Sequence, residues 1–486
     1  MSKALNNLDP KTLWSIFEQI CKIPHPSKNE TEIIDFVVRF AKEHGLEYKK
    51  DDVGNVLISK PATKGMENKQ TVVLQGHLDM VPQKNNETKH DFDKDPIDAF
   101  VDGDWVKARG TTLGADNGIG VAAALAVLVE KNLKHGPVEC LFTVDEETGM
   151  TGAFALKPGF VKGDILLNLD SEDEGELYIG CAGGIDTNSF FNYSEEKFPG
   201  GYKAFKLEVK GLKGGHSGLD IHLGRGNAIK ILTRLLWDGI NNHKLRLCSV
   251  DGGSLRNAIP REAEAIIALP AEEGKKFAER VKEMIANLKN ELQGVDDGIN
   301  IKFSSNDQVS KVIDEKTTNN LIKAVYGCPN GVIRMVPGME SVVETSTNLA
   351  ILKSEKGKIE VATLQRSSVD SAKEDLCNMV RAVFELANAK VVHEGEYPGW
   401  KPNINSPILK TMKEVYNKNF NKTPEVKVIH AGLECGLLGS VYPNLDMISF
   451  GPTIRNPHSP DEMVNIPSVK RFWDYLALTL ENLPEK

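Results

Sequence analysis

The sequence predicts an α/β protein interrupted by an α+β insert, and three observations carry that expectation. From Glu30 to about Asp186, short β-rich runs alternate with helical patterns. The same alternation resumes after the Pro/Gly-bearing segment Tyr397–Pro402. Between the two, from about Thr187 to Lys401, the elements follow the order β-α-β-β-α-β, that of a split ferredoxin-like unit.

Taken in order, a helix over Glu30–Lys42 leads to strands at Gly54–Ser59 and Thr71–Gln75. The apolar helix Ile119–Lys131 precedes strand Pro137–Val144, and strand Asp164–Leu169 follows. In the insert, strand Ala204–Lys210, helix Asn227–Gly239, strands Lys244–Val250 and Glu262–Leu269, helix Glu272–Leu292 and strand Ile299–Phe303 form one unit. A looser copy follows: helix Thr317–Tyr326, strands Gly331–Met335, Ser341–Leu352 and Lys358–Gln365, helix Ser371–Ala389 and strand Lys390–His393. Two units of about 100 residues read as an internal duplication; the plainer alternative is one irregular α+β domain. The last section holds helix Ser406–Asn419, strands Glu425–Ile429 and Asp446–Phe450, and a closing helix Ser468–Leu483.

A chain of 486 residues exceeds one ordinary core, so several domains are expected. Residues 1–186 and 402–486 read as two parts of one domain, and residues 187–401 as the insert. With 40% hydrophobic and 26% charged residues the composition is that of a globular protein. A formal charge of −9 and no basic patch exclude general affinity for nucleic acid or anionic membrane. The first 22 residues lack the basic-then-apolar pattern of a signal peptide. The most apolar run, Val121–Val129, is far short of the roughly 20 residues that cross a bilayer. Seven scattered cysteines without a CxxC pair suggest reduced thiols and a cytoplasmic location.

Four polar motifs sit where strands end or helices begin: Gly76-His77-Leu78-Asp79, Gly114-Ala115-Asp116-Asn117-Gly118, Asp145-Glu146-Glu147-Thr148-Gly149 and Asn168-Leu169-Asp170. In open α/β sheets ligands collect outside the carboxyl ends of the strands. Imidazole with carboxylate is the donor set of zinc-type divalent metals, and two metals need about five ligands with one shared. His77, Asp116, Glu147 and Asp170 supply four; His458, in Arg455-Asn456-Pro457-His458-Ser459, supplies a fifth. Asp79 is spaced to accept the other ring N–H of His77. Glu146 is suited to act as general base for a metal-activated water. Alone, an HxD is more often structural and a Glu-Glu pair a solvated face; the argument lies in their shared placement.

These motifs resemble those of the co-catalytic dizinc exopeptidases that include peptidase T, carnosinases and aminoacylases. The likeness covers essentially the whole chain and runs nearest to the bacterial aminoacyl-histidine (Xaa-His) dipeptidase branch. Many members carry Asp-Asp/Met-Lys-Gly in the second motif, whereas this chain has Asp116-Asn117-Gly118-Ile119-Gly120. The departure favours the histidine-dipeptidase branch and leaves Asp116 intact. The resemblance implies a mixed-sheet zinc-exopeptidase catalytic domain with an inserted α+β lid. It implies that Asp116 bridges two metals, with His77 and Asp170 on one and Glu147 and His458 on the other. It also implies a cis Asp116–Asn117 peptide.

Within the insert, Lys213-Gly214-Gly215-His216-Ser217-Gly218 matches the family's lid motif, which implies that His216 stabilises the reaction's oxyanion. In many relatives that histidine comes from a dimer partner, and in relatives with a doubled lid from the same chain; a homodimer is therefore one expectation. Asn257 and Arg366 match family substrate contacts, and Arg366, following strand Lys358–Gln365, offers a guanidinium fork to a terminal carboxylate. The segment His430–Gly436 resembles a glycine loop lining the substrate pocket, with Glu434 set to meet a substrate ammonium group. The expected activity is metal-dependent hydrolysis of dipeptides, Xaa-His and carnosine-like ones foremost, with two zinc ions or, on similar donors, manganese or cobalt. A tripeptidase or N-acyl amino acid deacylase of the same superfamily is the nearest alternative, and a non-catalytic binding protein the second class.

Overall fold

The structure, a computed structural model, describes residues 5–306 and 309–486. The chain forms two compact units: Met1–Gly180 with Pro402–Val428 and Leu433–Lys486, and Cys181–Lys401 with Ile429–Gly432.

The first unit is built on an eight-stranded sheet. From edge to edge its strands are Glu47–Lys50, Val56–Lys60, Val138–Thr143, Val72–His77, Ile165–Asn168, Asp446–Ser449, Glu176–Cys181 and Glu425–Ile429. The four from Val138–Thr143 to Asp446–Ser449 run parallel, and antiparallel strands flank them. Every residue of Val72–His77, Val138–Thr143 and Ile165–Asn168 is buried, which suits parallel strands covered on both faces. Helix Ala115–Val129 is apolar on almost every side and packs on strand Val72–His77 and helix Lys11–Ile20. Helix Lys11–Ile20 turns Leu13, Trp14, Ile16, Phe17 and Ile20 inward. Two late helices start on side-chain caps followed by proline: Ser406 accepts from the Leu409 N–H, and Asn465 from the Ser468 N–H.

The second unit holds a nine-stranded sheet. Its main path is Asn300–Ser305, Tyr202–Lys210, Ala263–Pro270, Arg246–Gly252, Val343–Glu355, Lys358–Ser367, Gly183–Asn192 and Lys390–Tyr397. Gly331–Met335 pairs on Val343–Glu355 alongside that path. Each half is a β-α-β-β-α-β unit with its strands in the spatial order fourth, first, third, second. The halves join through their second strands, at Asp251↔Lys353 and Gly252↔Leu352. Helices Ala228–Asn242, Gly274–Glu291, Glu315–Gly327 and Asp370–Leu386 contribute buried faces to one apolar core.

The leading strand of the second half, Gly183–Asn192, is absent from the sequence reading. It pairs with Lys358–Ser367 and Lys390–Tyr397, so this unit begins at Cys181. The first half is thus inserted between the first strand and first helix of the second. Gly183–Asn192 buries polar residues instead of alternating cleanly: the Thr187 hydroxyl contacts Gln365 and His393, and Asn188 Nδ2 donates to Glu394.

The close approach of helix Ala115–Val129 to the sheet depends on glycine. A Cβ at Gly120 would lie 2.5 Å from the Leu169 carbonyl oxygen. Gly120→Ala is therefore expected to destabilise the protein by about 1–3 kcal/mol. Chemical denaturation measures this, and an unchanged midpoint and slope would refute the packing constraint.

Candidate active site and metal centre

The parallel strands deliver the site because their carboxyl ends share one sheet edge. His77 ends its strand opposite Thr143, and Gln75 lies opposite Asn168, two residues before Asp170. Strand Val138–Thr143 gives way to a four-residue helix, Glu146–Gly149. Asp145, just before it, holds a left-handed φ of 53°. Hydroxyls of Thr148 and Thr151 bind its carboxylate, and Glu30 accepts its N–H. His458 reaches the site from beyond strand Asp446–Ser449 and is itself left-handed, at φ 58°. Such backbone persists only where its surroundings enforce it.

Asp116 stands between two groups. Its Oδ1 lies 3.3 Å from His77 Nε2, which is also 3.2 Å from Asp170 Oδ1. Its Oδ2 lies 3.3 Å from His458 Nε2, which is also 3.0 Å from Glu147 Oε2. Glu146 adjoins both groups: one of its carboxylate oxygens lies within 4.8 Å of ligand atoms on His77 and Glu147. The Asp116–Asn117 peptide is cis.

The donors fit two divalent cations. Tetrahedral ligands about 2.1 Å from one ion stand roughly 3.4 Å apart, close to the spacings here. Glu147 Oε1 is buried without a hydrogen-bond partner, and Asp170 Oδ1 meets only the His77 ring, a costly state that a cation relieves.

Around these groups lies a layer of orienting contacts. His77 Nδ1 is 3.0 Å from the Asp79 main-chain oxygen and 3.4 Å from its carboxylate. The carboxylate is drawn also to the N–H groups of Glu146 and Glu147, at 2.9 and 3.2 Å, and to the Ser27 hydroxyl at 2.7 Å. Asp79 therefore ties the His77 strand end to the Glu146–Glu147 turn and meets the ring through both its carbonyl and its carboxylate. Glu434 begins helix Glu434–Val441, which the sequence reading took for a loop. It is fully buried, with Oε2 accepting from Gln75 Nε2 at 2.6 Å and Thr143 Oγ1 at 2.8 Å. Glu462, which no motif singled out, accepts the N–H groups of Leu113, Gly114, Ala115 and Asp116. Its only signal is its position four residues after His458.

Concentrated negative charge sets the electrostatics. Burial pushes Glu146 well above the usual carboxylate range; the charges of Asp170, Glu434 and Glu147 add to this and His77 opposes it. Burial likewise raises Asp170 and Glu434, each to about 7. Burial acts in the same sense on Asp116, but hydrogen bonds with His458 and His77 outweigh it and hold the group below its ordinary value. His458 is pushed up to about 11, first by Asp116 and then by Glu147. Burial opposes the charging of His77, yet Asp170, Asp116 and Asp79 together hold it well above an ordinary imidazole. The imidazoles thus gather protons where a cation satisfies the same field.

In the second unit, His216 Nδ1 accepts N–H groups from Gly218 at 3.2 Å and Leu219 at 3.0 Å. Those bonds leave the ring proton on Nε2, making that nitrogen a donor. Burial, then the Arg366 charge, lowers the His216 pKa and favours the neutral ring. Arg366 lies inside strand Lys358–Ser367, only 6% exposed, because Gly184 and Ser346 pair on either side of it beyond the expected strand end. Its Nη1 donates to the Tyr397 hydroxyl at 2.8 Å, and its buried Nε has no hydrogen-bond partner. Asn257 is exposed, and its carbonyl accepts the Ser217 N–H at 2.7 Å.

A parallel-centred α/β unit with imidazoles and carboxylates converging on one shared aspartate, in a chain that also carries a doubled ferredoxin-like unit, defines a class: a candidate co-catalytic metallohydrolase. The chain belongs to peptidase family M20/M25/M40, whose family model matches residues 73–229 and 254–482. A peptidase dimerisation domain model matches residues 207–296. The chain is 50% identical over 482 residues to the cytosol non-specific dipeptidase of Escherichia coli (strain K12), covering 99% of both. It superposes on the crystal structure of aminoacylhistidine dipeptidase from Vibrio alginolyticus with a TM-score of 0.97 at 50% identity, covering 100% of this chain and 99% of that one. Aminopeptidase PepT from Bacillus cereus shares the fold, with a TM-score of 0.57 at 16% identity over 98% of this chain and 99% of that one.

The charge pattern makes a prediction for metal-free protein. Asp170 and Glu434 ionise near 4 in an unfolded chain but near 7 in the fold, so between those values the fold holds more protons. Stability therefore falls as pH rises through that window. His458, raised to about 11, adds the same slope above its unfolded value of 6.5. Chelated protein is expected to melt at progressively lower temperature from pH 5 to 9 (roughly the interval these groups span), and zinc to flatten the dependence. A chelated protein whose Tm climbs over that interval would contradict the electrostatic account.

Proposed function

We propose that the protein is a cytoplasmic, metal-dependent dipeptidase that hydrolyses the single peptide bond of dipeptides, Xaa-His and carnosine-like ones foremost. One observation carries the reading: the Asp116 carboxylate, with one oxygen toward His77 and Asp170 and the other toward His458 and Glu147. End-to-end identity of 50% to two dipeptidases supports the substrate class. The name of the Vibrio enzyme supports the histidine preference. The cytoplasmic location is supported by the name of the Escherichia coli relative. Among the described residues no helix is long and apolar enough to cross a membrane. A homodimer belongs to the reading, supported by the dimerisation-domain match.

His77, Asp116 and Asp170 would hold one divalent cation, and Asp116, Glu147 and His458 the other; zinc suits the set, and manganese and cobalt similar sets. Such ions supply a polarised carbonyl and a water acidified toward neutrality. Glu146, with its raised proton affinity, takes the proton from the attacking water and returns it to the leaving amine. Asp79 keeps His77 and the Glu146–Glu147 turn in register. His216, its proton on Nε2, donates to the oxygen of the tetrahedral intermediate. Arg366, with its unpartnered Nε, grips the substrate carboxylate, and Asn257 contacts the substrate alongside it. Glu434 retains one uncommitted oxygen, Oε1, for a substrate ammonium group.

The test pairs a variant with a panel. Glu146→Ala is expected to keep wild-type metal content while kcat falls about 10²–10⁴-fold. A variant with near-wild-type turnover removes Glu146 from the mechanism. Wild-type protein, assayed before chelation, after it and after metal restoration, should cleave Xaa-His dipeptides and carnosine ahead of tripeptides and acetylated amino acids. Faster cleavage of tripeptides would transfer the activity to a tripeptidase.

A further inference from the structure

Glu462 is a buried carboxylate, 2% exposed, lying 346 to 349 residues along the chain from the N–H groups it binds. Its Oε2 accepts the N–H groups of Leu113 at 2.7 Å and Gly114 at 3.0 Å, and its Oε1 those of Ala115 at 2.8 Å and Asp116 at 3.2 Å. The first N–H groups of a helix have no partner within it. Here the N-cap position is Gly114, left-handed at φ 71°, with no side-chain cap of its own. One distant carboxylate therefore does what a local serine or aspartate does elsewhere, and its charge suits the positive end of the helix.

The placement has a second consequence. Glu462 closes a turn on Ser459 (N–H to carbonyl, 2.9 Å) in the segment that also carries His458. Strand Met463–Asn465 then anchors that segment against Trp105–Ala108. The stretch that sets His458 against Asp116 Oδ2 thus also grips the Asp116 backbone. We infer that Glu462 is the positioning residue for the shared carboxylate: by gathering four consecutive N–H groups it fixes the orientation in which Asp116 offers one oxygen to each half of the centre. The inference rests on the two-metal reading above. Because Asp116 belongs to both halves, loss of Glu462 should weaken both cations together, unlike loss of His458.

The experiment is calorimetric titration of metal-free wild type, Glu462→Gln and Glu462→Asp with zinc, alongside Tm, kcat and KM. Glutamine turns an NH₂ group toward two of the four N–H groups, so both zinc affinities should fall about 10–100-fold. The turnover number should fall while KM stays near wild type, and Glu462→Asp, which keeps the charge on a shorter arm, should lie between. Wild-type affinities in a folded Glu462→Gln protein overturn the inference, even if Tm drops, because Glu462 is then a helix cap and no more. If Glu462→Gln does not fold, wild-type affinities in Glu462→Asp overturn it equally. Failure of both variants to fold with or without zinc assigns Glu462 to folding alone and also overturns it. A wild type that takes up no zinc removes the two-metal reading and this inference with it; two sites in the wild type that persist in the variants remove this inference only.

Discussion

Negative charge crowded into a buried corner is the constraint on which the first unit depends. Asp116, Glu146, Glu147 and Asp170 meet there with only two imidazoles among them. Water does not relieve this crowding, since the groups are largely enclosed, and carboxylates in such surroundings repel one another strongly. The fold answers with order. Strand ends, left-handed residues at 145 and 458, and backbone N–H groups aimed at Asp79 and Glu462 hold each side chain before any ion arrives. A site so arranged meets little reorganisation cost when positive charge enters, which is the condition under which buried electrostatics act most strongly.

The arrangement also divides labour among acids of similar chemistry. Asp79 and Asp116 are held in their charged forms by hydrogen bonds and imidazoles, whereas Glu146 is pushed the other way by burial and by its acidic neighbours. One of these environments favours a fixed negative charge and the other a group with raised proton affinity. Neighbouring carboxylates thus acquire different roles from their surroundings alone.

Much of this was readable from the amino acids, and the reason is positional. His77, Asp116, Glu146, Glu147 and Asp170 each follow or precede a strongly patterned apolar run, so the strand ends announce them. His458 was readable because its Asn-Pro-His loop follows another such strand. What escaped notice did so for physical reasons. Glu462 sits in a polar stretch that resembles surface, and its partners lie in a loop some 350 residues away, as the Leu113 bond shows. Strand Gly183–Asn192 hides because its inward positions include threonine, asparagine and serine, satisfied by hydrogen bonds that only the assembled sheet supplies. Arg366 was read as a strand-end residue since nothing local reveals that its neighbours extend two residues further. The helix beginning at Glu434 was masked by the glycines on either side of it.

All of the second unit except Ile429–Gly432 enters and leaves the chain at one point. Cys181 and Trp400 exchange backbone hydrogen bonds of 3.0 and 2.9 Å, so the two ends of a stretch of more than two hundred residues lie side by side. A host fold that receives such a passenger need only tolerate a gap the width of one strand pair, and the length of the passenger adds little to the entropy of closing it. The same logic recurs one level down, where one ferredoxin-like half interrupts the other after a single strand. The host chain is therefore interrupted at one main seam, between residues 180 and 402, and the passenger admitted there carries His216, Asn257 and Arg366.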